Sequence, residues 1–301
     1  MTTDERRGGP LGPPPPGNRV MAWGFGSIGI WLLLQIVLGI VVAVVFVGRN
    51  GGTTDGLDNN NAYQIASIVI AAVAGFGAYQ FCRWRMGWSV KDTGIRPTIG
   101  FWRSAGWVVV AVITFSLVNA AWSQVVVPPD DTHVVLKTLK SHPGAVTIIG
   151  LAFGASILAP IGEELLFRGL LYRSLSGWKG HVVAAILSSA VFGALHVGAA
   201  PWQVLPLLAF LGFLFAMLFW RTGSLVPSIA MHAFINSQSV GVTAGTTDGQ
   251  KAAWAFGITG VALVVIWLTT MRWRRAPLAA DYEDDEQVAL HTTSERAPWE
   301  K

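Results

Sequence analysis

The sequence predicts an all-α, polytopic membrane protein: a bundle of about eight transmembrane helices, each built from ~20 mostly apolar residues. Three observations carry this. Hydrophobic residues make up 52% of the chain and charged residues 13%, against about 25% charged in soluble domains. Mean hydropathy is positive. The apolar residues gather into runs, and the basic residues fall in alternate loops between them, as expected when helices cross a bilayer with a fixed orientation.

Taken in order, residues 1–19 are rich in proline and glycine, with four consecutive prolines at 13–16. Such a segment has no apolar core and cannot continue a helix, so it is expected to be a disordered cytoplasmic tail rather than a cleavable signal peptide. The transmembrane domain is expected across 20–275, with spans at about 24–47, 62–81, 102–126, 145–175, 181–197, 203–220, 225–242 and 252–271. The loops at 48–61 and 127–144 read as external; His133 and His142 in the second are expected to be ordinary surface histidines. From 276 to 301 the chain turns polar, with an acidic run at 281–286, and reads as a second disordered cytoplasmic tail.

The basic residues set the orientation. Arg6, Arg7 and Arg19 precede the first span; Arg83, Arg85, Lys91, Arg96 and Arg103 surround the loop after the second. Arg173 and Lys179 follow the fourth, Arg221 the sixth, and Arg272, Arg274 and Arg275 the eighth. Both termini are therefore expected to be cytoplasmic, and the chain integral to a cell membrane, bacterial by its Ala-, Gly-, Val- and Trp-rich composition. Tryptophans at span ends, such as Trp84, Trp88, Trp102, Trp178, Trp202 and Trp273, fit an interfacial belt. No basic cluster lies in a soluble region, which excludes nucleic acid as a partner. Cys82 is the single cysteine, so internal disulfides and cysteine metal sites are excluded.

Against this background, the run Ala159-Pro160-Ile161-Gly162-Glu163-Glu164-Leu165-Leu166-Phe167-Arg168 stands out. Charge at membrane depth is costly, rare and usually functional. Glu164 and Arg168 are four apart and share a helix face, acid first, which is the favourable order. Glu163 lies about 100° round the helix and is left to face something else. Two later apolar runs each carry a histidine, His196 and His232, and Asn236 shares a face with His232. One acid, two imidazoles and an amide in hydrophobic helices make a site suited to an activated water. Counted from Arg173, Arg221 and Lys179, the depths of Glu163, His232 and His196 are ~15, ~16 and ~25 Å, compatible with one site reached from the cytoplasmic half. Pro160 and Gly162 predict a kink beside it.

These three motifs, Glu163-Glu164-x-x-x-Arg168, Phe192-x-x-x-His196 and His232-x-x-x-Asn236, resemble those of the CAAX proteases and bacteriocin-processing enzymes, the type II CAAX prenyl endopeptidases and their bacterial relatives. The turn from Thr93 to Pro97 is similar to that family's lead-in. The resemblance covers about a third of the chain, and implies a catalytic core at about 145–242. It implies an intramembrane endopeptidase acting on a membrane-bound or lipidated peptide or protein. Within it, Glu163 is the expected general base, His196 holds the water directly or through a metal, and His232 and Asn236 donate to the carbonyl oxygen as an oxyanion hole. Glu164 belongs to the same implied catalytic set; Arg168, which orients it, and Phe192, which packs, are supporting residues.

Glu163, His196 and His232 can also form part of a zinc site with an open position; there is no His-Glu-x-x-His motif, and zinc-dependent and metal-free mechanisms both stay open. Two other function classes stay open as well: a proton-coupled transporter, since intramembrane Glu, His and Arg build proton relays, and a non-enzymatic scaffold or immunity protein. Nothing in the residues sets the oligomeric state.

Overall fold

The computed structural model describes residues 11, 19–54, 60–96, 100–126, 145–245 and 247–270. The expected tails, apart from Leu11 and Arg19, the loop with His133 and His142, and Trp273 lie outside the described residues. Every named element among the described residues is helical: α1 (Val20–Arg49), α2 (Asn61–Met86), α3 (Phe101–Val125), α4 (Ala145–Phe153), α5 (Ala159–Glu164), α6 (Arg173–Ala194), α7 (Leu205–Thr222), α8 (Leu225–Ala244) and α9 (Asp248–Thr270). Two π-helical segments, Gly154–Leu158 and Leu165–Tyr172, join α4 to α5 and α5 to α6.

Among the described residues, five helical stretches are long and apolar enough to cross a membrane: Val20–Arg49, Ala62–Met86, Phe101–Val125, Ile148–Ala194 and Leu205–Thr222. The fourth is 47 residues long, about 70 Å of helix against ~30 Å of hydrocarbon. It is interrupted at Gly180, whose φ of 78° and ψ of 174° are not helical, so the two spans expected on either side of that point are present but abut. Helices α8 and α9 also occur where spans were expected but do not join the five. In α8 the reason is its polar content: Ser228, His232, Asn236, Ser237, Gln238 and Ser239 all lie on it. Of these, Ser228, His232 and Ser237 are buried, Asn236 and Gln238 are partly buried, and Ser239 is exposed.

The outer surface is apolar. Leu33, Ile36 and Val44 of α1, Val73 of α2 and Leu117 of α3 are all more than half exposed, the inverse of a soluble protein and suited to lipid. The interior is organised around the stretch from α4 to the start of α6. All eight residues of the segment Leu165–Tyr172 are buried, which accounts for a run that is apolar nearly all round. Helices α1 and α2 cover one side of it, α7 and α8 the other, and α3 lies outside against α7 and α8. Small residues permit the close approaches. A Cβ on Gly193 of α6 would fall 2.8 Å from the Ala209 Cβ of α7.

One turn ties the α7–α8 junction to the chain that follows α2. Helix α7 stops at Gly223, in the left-handed region at φ 67°, and α8 starts at Ser224, whose side chain accepts from the Val226 N–H. The segment Thr93–Arg96 docks on this junction. Arg96 Nε donates to Gly223 O at 2.6 Å, Ser224 Oγ donates to Arg96 O at 2.6 Å, and Leu225 N donates to Gly94 O at 2.9 Å. Gly94 has φ 92°, and a Cβ there would run into the Phe219 ring, so the turn needs glycine for backbone and space. Arg173, read in the sequence only as a basic residue following the fourth span, is 3% exposed. Its Nε donates to Asp92 O at 3.0 Å. His181 packs rather than reacts, stacked on Trp220 with Nδ1 2.8 Å from Tyr172 Oη.

Replacing Gly193 with Val should force α6 and α7 apart and destabilise the protein by ~1–3 kcal/mol, read as a lowered midpoint of thermal unfolding in detergent; an unchanged midpoint would mean that the helices do not meet there.

Candidate active site

The site begins with a buried charge. Arg168 is fully buried in the second π segment, and every polar contact it makes comes from the local chain or from α7. Its Nη1 donates to Glu164 Oε1 at 3.0 Å, and Nη2 donates to Gly212 O at 2.8 Å. Three phenyl rings surround the guanidinium carbon, Phe192 at 4.7 Å, Phe215 at 5.1 Å and Phe167 at 5.8 Å. Cation–π contacts of this kind are worth ~2 kcal/mol or more when desolvated. Gly212 makes the arrangement possible: a Cβ there would lie 3.0 Å from Arg168 Nη2 and 3.1 Å from Phe192 Cδ1.

Glu164 is fully buried and has a second partner that the spacing did not reveal. His232 Nδ1 lies 3.1 Å from Glu164 Oε1. Because a carboxylate only accepts, Nδ1 carries the proton. The other ring nitrogen, Nε2, is 3.8 Å from Glu163 Oε2. One imidazole thus spans both acids, although they point about 100° apart. Phe215 stacks on the His232 ring, centroids 4.6 Å apart and planes within 23°. Phe192 meets it edge-on at 6.0 Å.

The two carboxylates differ in access. The Glu163 side chain is 21% exposed and that of Glu164 is fully buried. Glu163 Oε2 and Glu164 Oε2 are each buried without a hydrogen-bond partner. Such atoms cost ~1–3 kcal/mol unless a donor is supplied, so the space they face favours a water or a peptide N–H.

His196 stands further off. It lies just past the end of α6, partly buried, with Nδ1 2.8 Å from Phe192 O. A carbonyl only accepts, so Nδ1 is the protonated nitrogen and Nε2 presents a lone pair. No hydrogen bond or ion pair joins His196 to either glutamate among the described residues; its link to the centre is Phe192, whose ring lies 4.8 Å from its own. Asn236 lies one turn after His232, but its Nδ2 donates to Ala155 O at 2.7 Å. The structure thus brings Glu163, Glu164, Arg168, Phe192 and His232 together and sets His196 and Asn236 at the margin.

As placed, Glu163, His196 and His232 do not converge as a ligand set, and no group of three His, Cys, Asp or Glu suited to a metal ion occurs among the described residues. The donors fit a carboxylate–imidazole pair better than a zinc ligand sphere, because both His232 nitrogens are turned to carboxylates. Sequence reasoning missed Phe215 and Gly212. A lone glycine in the bulky run of α7 was the available sign, since such a glycine usually marks a close approach.

The chain is similar to known proteins over the stretch that holds these residues. Residues 145–238, which contain every site residue named above, match the family model described as type II CAAX prenyl endopeptidase Rce1-like. The chain is 29% identical over 209 residues to "Putative membrane peptidase YdiL" of Bacillus subtilis, covering 69% of each protein. It is 30% identical over 93 residues to "UPF0177 protein YxdF" of Lactococcus lactis, covering 31% of this chain and 50% of that one. No solved structure matches.

Removing Arg168 while leaving Glu164 strands a buried carboxylate. Arg168→Met should therefore cost ~3–5 kcal/mol, and the double variant Glu164→Gln with Arg168→Met should be more stable than Arg168→Met alone. Thermal unfolding of the set in one detergent checks this; a double variant no better than the single would show that the pair is not what the site is built on.

Proposed function

We propose that this chain, which carries an Rce1-like CAAX-protease domain over residues 145–238, is an intramembrane endopeptidase that cleaves a membrane-bound or lipidated peptide or protein with a glutamate-activated water. The observation that carries the reading is the division of labour between adjacent acids. Glu164 is held through Oε1 by Arg168 and His232, whereas Glu163 keeps 21% of its side chain exposed and only approaches the His232 ring, at 3.8 Å.

In this reading Glu163 accepts a proton from a water as the water oxygen bonds to the scissile carbonyl carbon. His196 Nε2, left as an acceptor by the bond from Nδ1 to Phe192 O, helps hold that water. His232 in its protonated form donates from Nε2 to the oxyanion, with the Glu164 carboxylate stabilising the imidazolium through Nδ1. Asn236 has two N–H donors; one goes to Ala155 O and the other is available to the same oxyanion. The tetrahedral species then collapses. The C–N bond breaks, the proton held by Glu163 passes to the leaving nitrogen, and the carboxylic acid and amine that result exchange the remaining proton to give a carboxylate and an ammonium.

Cytoplasmic termini and a substrate presented from the cytoplasmic half follow from the distribution of Arg and Lys. A proton-coupled transporter would place its acids along a path; here Glu164 is closed off by Arg168 and His232.

Comparison of host-proteome peptide termini between wild type and Glu163→Ala, at matched expression, should show termini that vanish only in the variant, and these identify substrate and cut site. Identical sets would contradict the protease reading and favour a scaffold. On a substrate found that way, His232→Ala should cost ~10²–10³-fold in kcat and chelation should leave turnover intact; stoichiometric zinc, with turnover lost on chelation and restored by Zn²⁺, would contradict the metal-free step.

A further inference from the structure

We infer that Asn236 is a positioning residue for the acid pair, acting through a backbone carbonyl that Pro160 leaves without a donor. The inference deepens the protease reading and, for its effect on turnover, rests on it.

The argument starts from the backbone ladder. In an α-helix the carbonyl of residue 155 accepts from the N–H of residue 159, and in a π-helix from that of residue 160. Here the Ala159 N–H is drawn to Gly154 O, the π register. The next donor in that register is residue 160, a proline, which has no N–H. Ala155 O is therefore missed by both ladders, at a depth where each unsatisfied backbone group is expensive. Asn236 Nδ2, from α8 and 81 residues later, donates to it at 2.7 Å.

The consequence is positional. Segment Gly154–Leu158 ends immediately before α5, and α5 is the single short helix that ends in Glu163 and Glu164. The register chosen at residues 154–158 sets the rotation at which both carboxylates leave the helix. Asn236 clamps that register from α8, the helix that also carries His232. The amide one turn beyond the imidazole thus ties α8 to the turn before the acids, while the imidazole meets the acids themselves. Two bonds from one face of α8 thus hold the π segment Gly154–Leu158 and the far end of α5, on either side of the same short helix.

The same logic separates this role from that of an oxyanion donor. If Asn236 serves only the substrate, it is indifferent to what occupies position 160. If it replaces the missing N–H, an alanine at 160 restores a backbone donor and makes the amide partly redundant.

The test is a double-mutant cycle in the purified full-length protein with Pro160→Ala, Asn236→Ala and both together. Expected are a lowered unfolding midpoint and faster hydrogen exchange across 154–166 in Asn236→Ala, both partly reversed in the double variant. A coupling of ~3- to ~20-fold in the folding equilibrium matches that of hydrogen bonds between membrane helices. Turnover of the double variant should exceed that of Asn236→Ala by tenfold, carried by kcat rather than KM. Additive stabilities would overturn the proposal whatever the activity. Turnover unrescued by Pro160→Ala, with stabilities coupled, would overturn the positioning of the acids and leave a purely structural clamp. If Asn236→Ala does not accumulate, recovery of folded protein in the double variant supports the coupling and no recovery overturns it. Absence of turnover in wild type as well would count against the protease reading alone, since the stability cycle needs no substrate.

Discussion

A carboxylate and a guanidinium lie fully buried in a helix interior, 3.0 Å apart, and the surroundings are shaped by the need to keep them there. Neither charge tolerates such a place unpaired; removing one partner from a buried pair costs ~3–5 kcal/mol. The requirement reaches beyond the two residues. Arg168 needs acceptors and finds the Gly212 carbonyl on α7, which is reachable because residue 212 has no side chain. It needs a polarisable lining and has three phenyl rings. Glu164 needs a second donor and takes one from His232 on α8. The ion pair thereby determines which faces of α7 and α8 turn inward, and the histidine it recruits is the one that faces Glu163.

The irregular helix around the pair serves the same end. A continuous α-helix through 154–172 would carry Glu163 and Glu164 onto separate faces with one register throughout. Instead the acids end a six-residue α-helical turn between two π segments, a type of irregularity that tends to mark functional sites. The turn is enclosed: Pro160, Gly162 and Glu164 are buried, and Gly162 lies beside the Ala72 carbonyl of α2. Its small residues let neighbouring backbones close on it, as helix interfaces in membranes generally require.

Much of this was legible in the sequence and some was not. The spans follow from composition, and the Glu164–Arg168 pair follows from helical spacing alone, because both partners lie on one helix. That His232 would meet the acids was readable as a depth match, but that it would bond Glu164 as well as approach Glu163 was not. A helical wheel places side chains on faces and says nothing of the width of an imidazole on another helix. His232 and Asn236 share a face, which suggested a shared target, yet one reaches carboxylates and the other a backbone carbonyl. The roles of Gly212 and Phe215, the docking of Thr93–Arg96 on the α7–α8 junction and the burial of Arg173 all depend on contacts between elements remote in the chain. Local pattern carries no information on these. The helix α8 shows the converse: its polar residues, His232 and Asn236 of the candidate site among them, lower its apolar signal.

The central claim is that two neighbouring glutamates divide the work, Glu164 holding the architecture and Glu163 doing the chemistry. It is tested most directly by measuring turnover and unfolding midpoint together for Glu163→Gln and Glu164→Gln in the same detergent, with a substrate cleaved by the wild type. The account predicts that Glu163→Gln abolishes turnover while the midpoint stays near that of the wild type, and that Glu164→Gln lowers the midpoint by several degrees. Turnover that survives Glu163→Gln, or a midpoint that falls for Glu163→Gln and holds for Glu164→Gln, would contradict it.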